Sequence, residues 1–148
     1  MTTTVEQMMR NKLETIEEIA SVKDAANMMK DKNVSSLVVV GGNGKPQGLV
    51  TERDLVRKVC INDASTSRVK NKEIMTSPLI TINSDSPSSE AADMMLQNNV
   101  RHLLVVGNQN NANEPIGIIT PLDFVRYQEY TNDGKEKDAI EKILEYYI

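Results

Sequence analysis

Two short stretches of this 148-residue chain hold residue types that can do chemistry together: Thr51-Glu52-Arg53-Asp54 and Thr120-Pro121-Leu122-Asp123. In each, a threonine ends an apolar run and an aspartate follows three residues later. A carboxylate in a first helical turn can accept hydrogen bonds from two neighbouring hydroxyls at once. Ribose O2′ and O3′ present such a pair, whereas 2′-deoxyribose does not. The threonine hydroxyl and the open N–H groups of the helix start can face a phosphate. Arg53 and Arg101 carry the fork that suits phosphate oxygens, and His102 is the next candidate. The same spacing also approximates a capping box, in which the aspartate closes the helix end and complements its dipole. The two roles are compatible: the carboxylate caps when empty and holds sugar when filled.

No catalytic constellation accompanies these residues. The sequence has no Walker-A loop, no G-x-G-x-x-G after a strand and no H-E-x-x-H. Its one histidine, His102, and its one cysteine, Cys60, are far apart in sequence and make a poor nucleophile pair. Without a Walker lysine or a set of acidic Mg²⁺ ligands, ATP hydrolysis is not expected. The expectation is a protein that is not an enzyme and holds no catalytic metal. Cys60 ends an apolar helix and is expected to be an inert, buried or half-buried thiol.

The elements that position Thr-x-x-Asp occur twice. Asp24–Gly41 laid over Glu90–Gly107 matches at ten of eighteen positions. After a connector three residues longer in the second copy, Pro46–Arg57 matches Pro115–Arg126. The copies span 5–59 and 71–129. Each begins with an extended piece, Leu13–Ile16 or Leu79–Ile82. A helix follows, with Val22, Ala25, Ala26 and Met29, or Ser88, Ala91, Ala92 and Met95, at i, i+3, i+4, i+7. Ser21 and Ser86 to Ser88 are expected caps, and Glu90 can complete a capping box. Leu37–Val40 and Leu103–Val106 read as buried strands, then Gly48–Thr51 and Gly117–Thr120 as third strands. Second helices start at once, over Glu52–Val59 and Pro121–Tyr130. The expected fold is α/β (α+β): two β-α-β-β-α repeats, each burying its bare sheet face, packed with pseudo-two-fold symmetry. A C-terminal helix over 135–148 lies outside the repeat, with Ala139 or Ile140, Ile143, Leu144 and Tyr147 on one face. Docking onto the chain's own body is its simplest role, and a dimer clasp or partner-docking helix is the alternative.

Composition removes several function classes. The formal net charge is -4, from 17 Lys plus Arg against 21 Asp plus Glu, which disfavours general polyanion binding. Trp is absent, with one Phe and four Tyr, so stacking platforms for single-stranded nucleic acid are not expected. A single cysteine excludes an intramolecular disulfide framework. No apolar run approaches the roughly eighteen residues of a membrane span, and the N-terminus does not read as a signal peptide. The expected compartment is the cytoplasm, with neither membrane nor nucleic acid as partner.

The repeated pattern resembles the tandem cystathionine β-synthase (CBS) domain, or Bateman module. Ile74-Met75-Thr76-Ser77-Pro78-Leu79-Ile80-Thr81-Ile82 looks like that family's I-M-T-x-P-h-x-T-h lead-in. Asn99–Val106 and the two Gly-h-h-Thr-x-x-Asp stretches, Gly48–Asp54 and Gly117–Asp123, complete the likeness. Copy one departs at its lead-in, where Met9-Arg10-Asn11-Lys12-Leu13 has neither the Thr nor the Pro. The resemblance implies a regulatory module that binds adenosine derivatives: AMP, ADP or ATP, with S-adenosylmethionine as a further candidate. It implies two clefts, each made from one copy's Thr-x-x-Asp and the other copy's lead-in loop and second strand. Adenine would lie against Leu79, Val100 and Leu49 in one, and against Leu13, Val34 and Ile118 in the other. Thr76 and Lys12 are the lead-in candidates. Ser35 stands where the second copy has Arg101, and Leu122 where the first has Arg53, so the two sites should differ in affinity or ligand. A homodimer and an unidentified effector protein are the partners implied. The alternative is a constitutive dimerisation or scaffold module with degenerate ligand sites.

Overall fold

Short β-branched runs become the middle strands of two three-stranded sheets that repeat one topology. The computed structural model describes residues 2–107, 114–127 and 141–146. Within them the chain divides into two units: Leu13–Leu79, and Met1–Lys12 together with Ile80–Ile148.

In the first unit, β1 (Thr15–Glu17) runs parallel to β2 (Ser36–Val40), which pairs antiparallel with β3 (Pro46–Thr51). A parallel pair needs a crossover, and α1 (Val22–Lys32) supplies it. Val22, Ala25 and Met29 of that helix are buried, whereas Ala26 is exposed, so the apolar stripe is narrower than the sequence spacing suggests. Ser21 caps the helix as expected, accepting from the Asp24 N–H at 3.1 Å. Asn33 ends it in the left-handed region at φ 54°, and the Val34 N–H reaches back to the Met29 carbonyl at 3.0 Å. That is a Schellman-type stop with asparagine in glycine's usual place.

The second unit repeats this with β4 (Thr81–Asn83), α2 (Ser88–Asn98), β5 (Leu103–Val106) and β6 (Pro115–Ile119), in the order β4-β5-β6. Asn99 repeats the left-handed stop at φ 52°. Here the expected serine cap does not form. Pro87 occupies the cap position, and the Ser88 N–H bonds the Thr3 carbonyl at 2.9 Å, so a distant segment satisfies the helix start.

Several boundaries differ from the sequence reading. The first strands lie two residues later at their start than expected, because only Thr15–Glu17 and Thr81–Asn83 are in register with their neighbours. The third strands start earlier, at Pro46 and Pro115, where a bulge restores the pairing. Two one-turn helices, α3 (Val5–Met8) and α4 (Asn71–Ile74), were too short to give a periodic signal. The helix expected over Glu52–Val59 is a single α turn, α5 (Glu52–Asp54), followed by a π-helix, Leu55–Cys60. Its counterpart α6 (Pro121–Tyr127) is α-helical; the remainder of the expected Pro121–Tyr130 helix lies outside the described residues.

The two lead-in turns are exchanged between the copies. Helix α3 precedes copy one in sequence but contributes Val5 and Met8 to the core built on copy two's sheet, beside Ile82, Met95, Val105 and Phe124. Helix α4 precedes copy two but places Ile74 in the core with Ile16, Val39, Val50 and Val59. Met29 and Met95 are buried, and Met28 and Met94 are partly buried against the same cores, so the methionine pairs are core residues. Cys60 is exposed, against the expectation of a buried or half-buried thiol, because the π-helix presents Val59 and not Cys60 inward.

Residues 141–146 are helical, and Ile143 is fully buried in the second unit's core. Lys142 pairs with Asp93 at 3.7 Å, and the Tyr146 hydroxyl donates to Asn99 Oδ1 at 2.9 Å. This part of the tail docks on its own unit. The rest of the helix expected over 135–148, with Ile140 and Tyr147, lies outside the described residues.

Candidate functional site

Each Thr-x-x-Asp sits where a third strand turns directly into a helix, so the threonine is the helix cap and the aspartate lies one turn in. In the first unit the Thr51 N–H donates to Asp54 Oδ2 at 3.0 Å and its hydroxyl to the same oxygen at 3.1 Å. The Asp54 N–H returns a bond to Thr51 Oγ1 at 3.2 Å. The other carboxylate oxygen, Oδ1, meets Lys58 Nζ at 3.1 Å. Lys58 also donates to the Ile74 carbonyl at 2.8 Å, one of the open acceptors near the C-terminal end of α4.

In the second unit the Thr120 N–H donates to Asp123 Oδ2 at 2.9 Å, and the hydroxyl to that oxygen at 3.3 Å. Oδ1 is approached by Arg10 Nε at 3.6 Å and Arg126 Nη1 at 3.7 Å, beyond hydrogen-bond range. Asp123 is 2% exposed. Burial pushes its carboxyl above the usual aspartate range, against the lowering effects of the Thr120 bonds and the Arg10 charge. In both units one oxygen serves the cap and the other faces cations.

The lead-in segments lock beside these carboxylates through two glycines. Leu49 and Thr76 exchange backbone hydrogen bonds at 3.1 and 2.8 Å, and Ile118 and Arg10 do so at 2.9 and 2.9 Å. A Cβ at Gly48 would stand 2.7 Å from the Thr76 carbonyl oxygen, and one at Gly117 would stand 2.6 Å from that of Arg10. Only glycine admits this approach. The exchange puts Arg10 at the place in the second unit that Thr76 holds in the first.

The first unit thus brings Thr51, Asp54, Thr76 and Leu49 together, with Arg53 exposed on the same turn. Leu13, Leu79 and Val34 are half-buried in that unit, and the Ser35 carbonyl accepts from the Glu52 N–H at 3.0 Å. The second unit brings Thr120, Asp123 and Ile118 together around Arg10; Lys12 is exposed two residues beyond. Val100, Arg101 and His102 belong to this unit and lie between the Asn99 stop and β5, with Val100 and His102 half-buried and Arg101 exposed. Three charged neighbours, Arg10, Lys58 and Arg126, were missed by sequence reasoning. The i,i+4 spacing of Asp54 and Lys58 and the i,i+3 spacing of Asp123 and Arg126 were visible signals. Arg10 had none, since its contact depends on the exchanged lead-in. Among the described residues, no group of three or more His, Cys, Asp or Glu is placed to hold a metal ion. No helix among them is long and apolar enough to cross a membrane.

Comparison with known proteins agrees with the repeat. The CBS domain family matches residues 5–60 and 72–130. An uncharacterised protein of Methanopyrus kandleri is 32% identical over 107 residues, covering 72% of this chain and 53% of its own, so this chain spans about half that relative's length. The crystal structure of an uncharacterised conserved protein from Pyrococcus horikoshii superposes with a TM-score of 0.78 at 26% identity, covering 90% of this chain and 97% of that one. The CBS domain pair of protein MJ0100, crystallised with 5-methylthioadenosine and S-adenosyl-L-methionine, gives a TM-score of 0.74 at 26% identity and covers 87% of this chain and 98% of its own. With the family matched twice and each match built on the same sheet and the same Thr-x-x-Asp turn, the chain belongs to the CBS domain family, as a tandem pair.

Proposed function

We propose that this chain is a non-catalytic regulatory module whose Asp54 and Asp123 carboxylates hold the ribose of an adenosine-containing ligand. The observation that carries the reading is the division of labour in each carboxylate. Oδ2 is fixed by its threonine, while Oδ1 is turned toward cationic side chains. A buried acceptor held in one orientation and flanked by positive charge suits a sugar diol with a phosphate close by. Arg10 and Arg126, both about half exposed, suit the phosphate of AMP, ADP or ATP beside Asp123. The two ligands bound by the MJ0100 pair share the adenosine group, which supports that ligand class and keeps S-adenosylmethionine as a candidate. Binding that favours one conformation, read by an effector protein or by a second copy in a homodimer, would make the module a signal.

Calorimetric titration of the full chain with AMP, ADP, ATP and S-adenosylmethionine tests the reading. Asp54→Ala and Asp123→Ala should each remove one binding event. Unchanged binding in both variants would contradict it. The use of both aspartates as caps favours a second reading, a constitutive assembly module with degenerate sites. That reading predicts no heat with any of the four ligands and an oligomeric state indifferent to them.

A further inference from the structure

The two carboxylates differ in how many acceptor positions are already filled. A carboxylate offers roughly four acceptor positions. Asp123 has two of them filled, by the Thr120 N–H and hydroxyl, and among the described residues its Oδ1 accepts no hydrogen bond. Asp54 has the same two filled by Thr51 and a third filled by Lys58 at 3.1 Å. A diol needs two positions: Asp123 has them, and Asp54 has one.

We infer that Lys58 is an internal competitor, an autoinhibitory side chain that a sugar must displace before Asp54 can hold both hydroxyls. The inference rests on the proposed sugar-binding role of the two aspartates. Lys58 is well placed to compete because its ammonium makes two contacts at once. Its ammonium reaches Asp54 on its own helix and the Ile74 carbonyl of α4 at 2.8 Å. The second anchor means that displacement from Asp54 need not release the side chain to solvent. Among the described residues nothing equivalent stands in the second unit, where Tyr127 follows Arg126 as Lys58 follows Arg57. The arginines there stay 3.6 and 3.7 Å from Oδ1 and leave its acceptor positions open. The Asp123 site therefore fills first, and the Asp54 site fills at higher ligand concentration.

Adenosine is the probe, since it lacks the phosphate that Lys58 could otherwise attract. Asp123→Ala isolates the Asp54 site, and titration of that variant is compared with Asp123→Ala combined with Lys58→Met. Removing a partly exposed ion pair should tighten adenosine binding by about twofold to fivefold. Lys58→Gln serves as a second variant, and thermal unfolding shows that each folds. Equal or weaker binding without the lysine, or no binding in either protein, overturns the competitor. Failure of the ribose reading has a different signature: single Asp54→Ala and Asp123→Ala variants that bind adenosine as the unaltered chain does.

Discussion

At the scale of single residues, the carboxylates carry both the fold and the proposed chemistry. Asp123 accepts from its cap while buried, and burial holds its carboxyl above the usual aspartate range. An acid with a raised folded-state pKa keeps its proton in the folded chain after the unfolded chain has lost it. Its contribution to stability is therefore fullest below the unfolded pKa and declines as pH rises through the window up to the folded one. Asp123→Asn should remove that decline: the variant gains stability relative to the unaltered chain between acid and neutral pH, read from urea unfolding across that range. The same shift means that sugar binding at Asp123, which needs the carboxylate, should fall away on acidification at a higher pH than an ordinary aspartate would give. A binding profile without that early loss would contradict the assignment. Both aspartates were legible in the sequence because their spacing is local. Arg10 was not, because it reaches Asp123 only after the lead-in crosses to the other copy's sheet.

At the scale of elements, two glycines decide whether the lead-in segments can lie beside the carboxylates. A Cβ at Gly48 or Gly117 meets a backbone oxygen at 2.7 or 2.6 Å, and backbone cannot swing aside as a side chain can. Gly48→Ala and Gly117→Ala should each destabilise the chain by about 1–3 kcal/mol, as overpacked sites do. Hydrogen exchange at the Leu49 and Thr76 amides, or at Ile118 and Arg10, should quicken in the matching variant. Unchanged exchange would show that the lead-in bridge is not what the glycines serve. The repeat, its strands and its two crossover helices were readable because apolar periodicity and turn residues are written locally. One-turn helices escape such reading, and so does the change from α to π after Asp54, where nothing in Leu55–Cys60 marks the wider turn. The failed cap at Ser86 to Ser88 has a tertiary cause: Thr3 supplies the acceptor instead.

At the scale of the whole molecule, residues 141–146 pack into the second unit's core. Ile143 is fully buried among Met95, Leu103 and Phe124. Ile143→Ala should cost about 2–5 kcal/mol by leaving a cavity, read as a lowered unfolding midpoint. A cost near zero would mean that the terminal helix docks elsewhere in solution. The apolar face of this helix was visible in the sequence, but which surface receives it was not, since periodicity names a face and not its partner. Recognition of a vicinal diol by the two aspartates is the central claim, and removing one hydroxyl from the ligand tests it most directly. Calorimetry should show AMP binding and 2′-deoxy-AMP binding about tenfold more weakly or worse, the loss expected for a hydrogen bond to a charged acceptor. Equal affinity for the two nucleotides would contradict it.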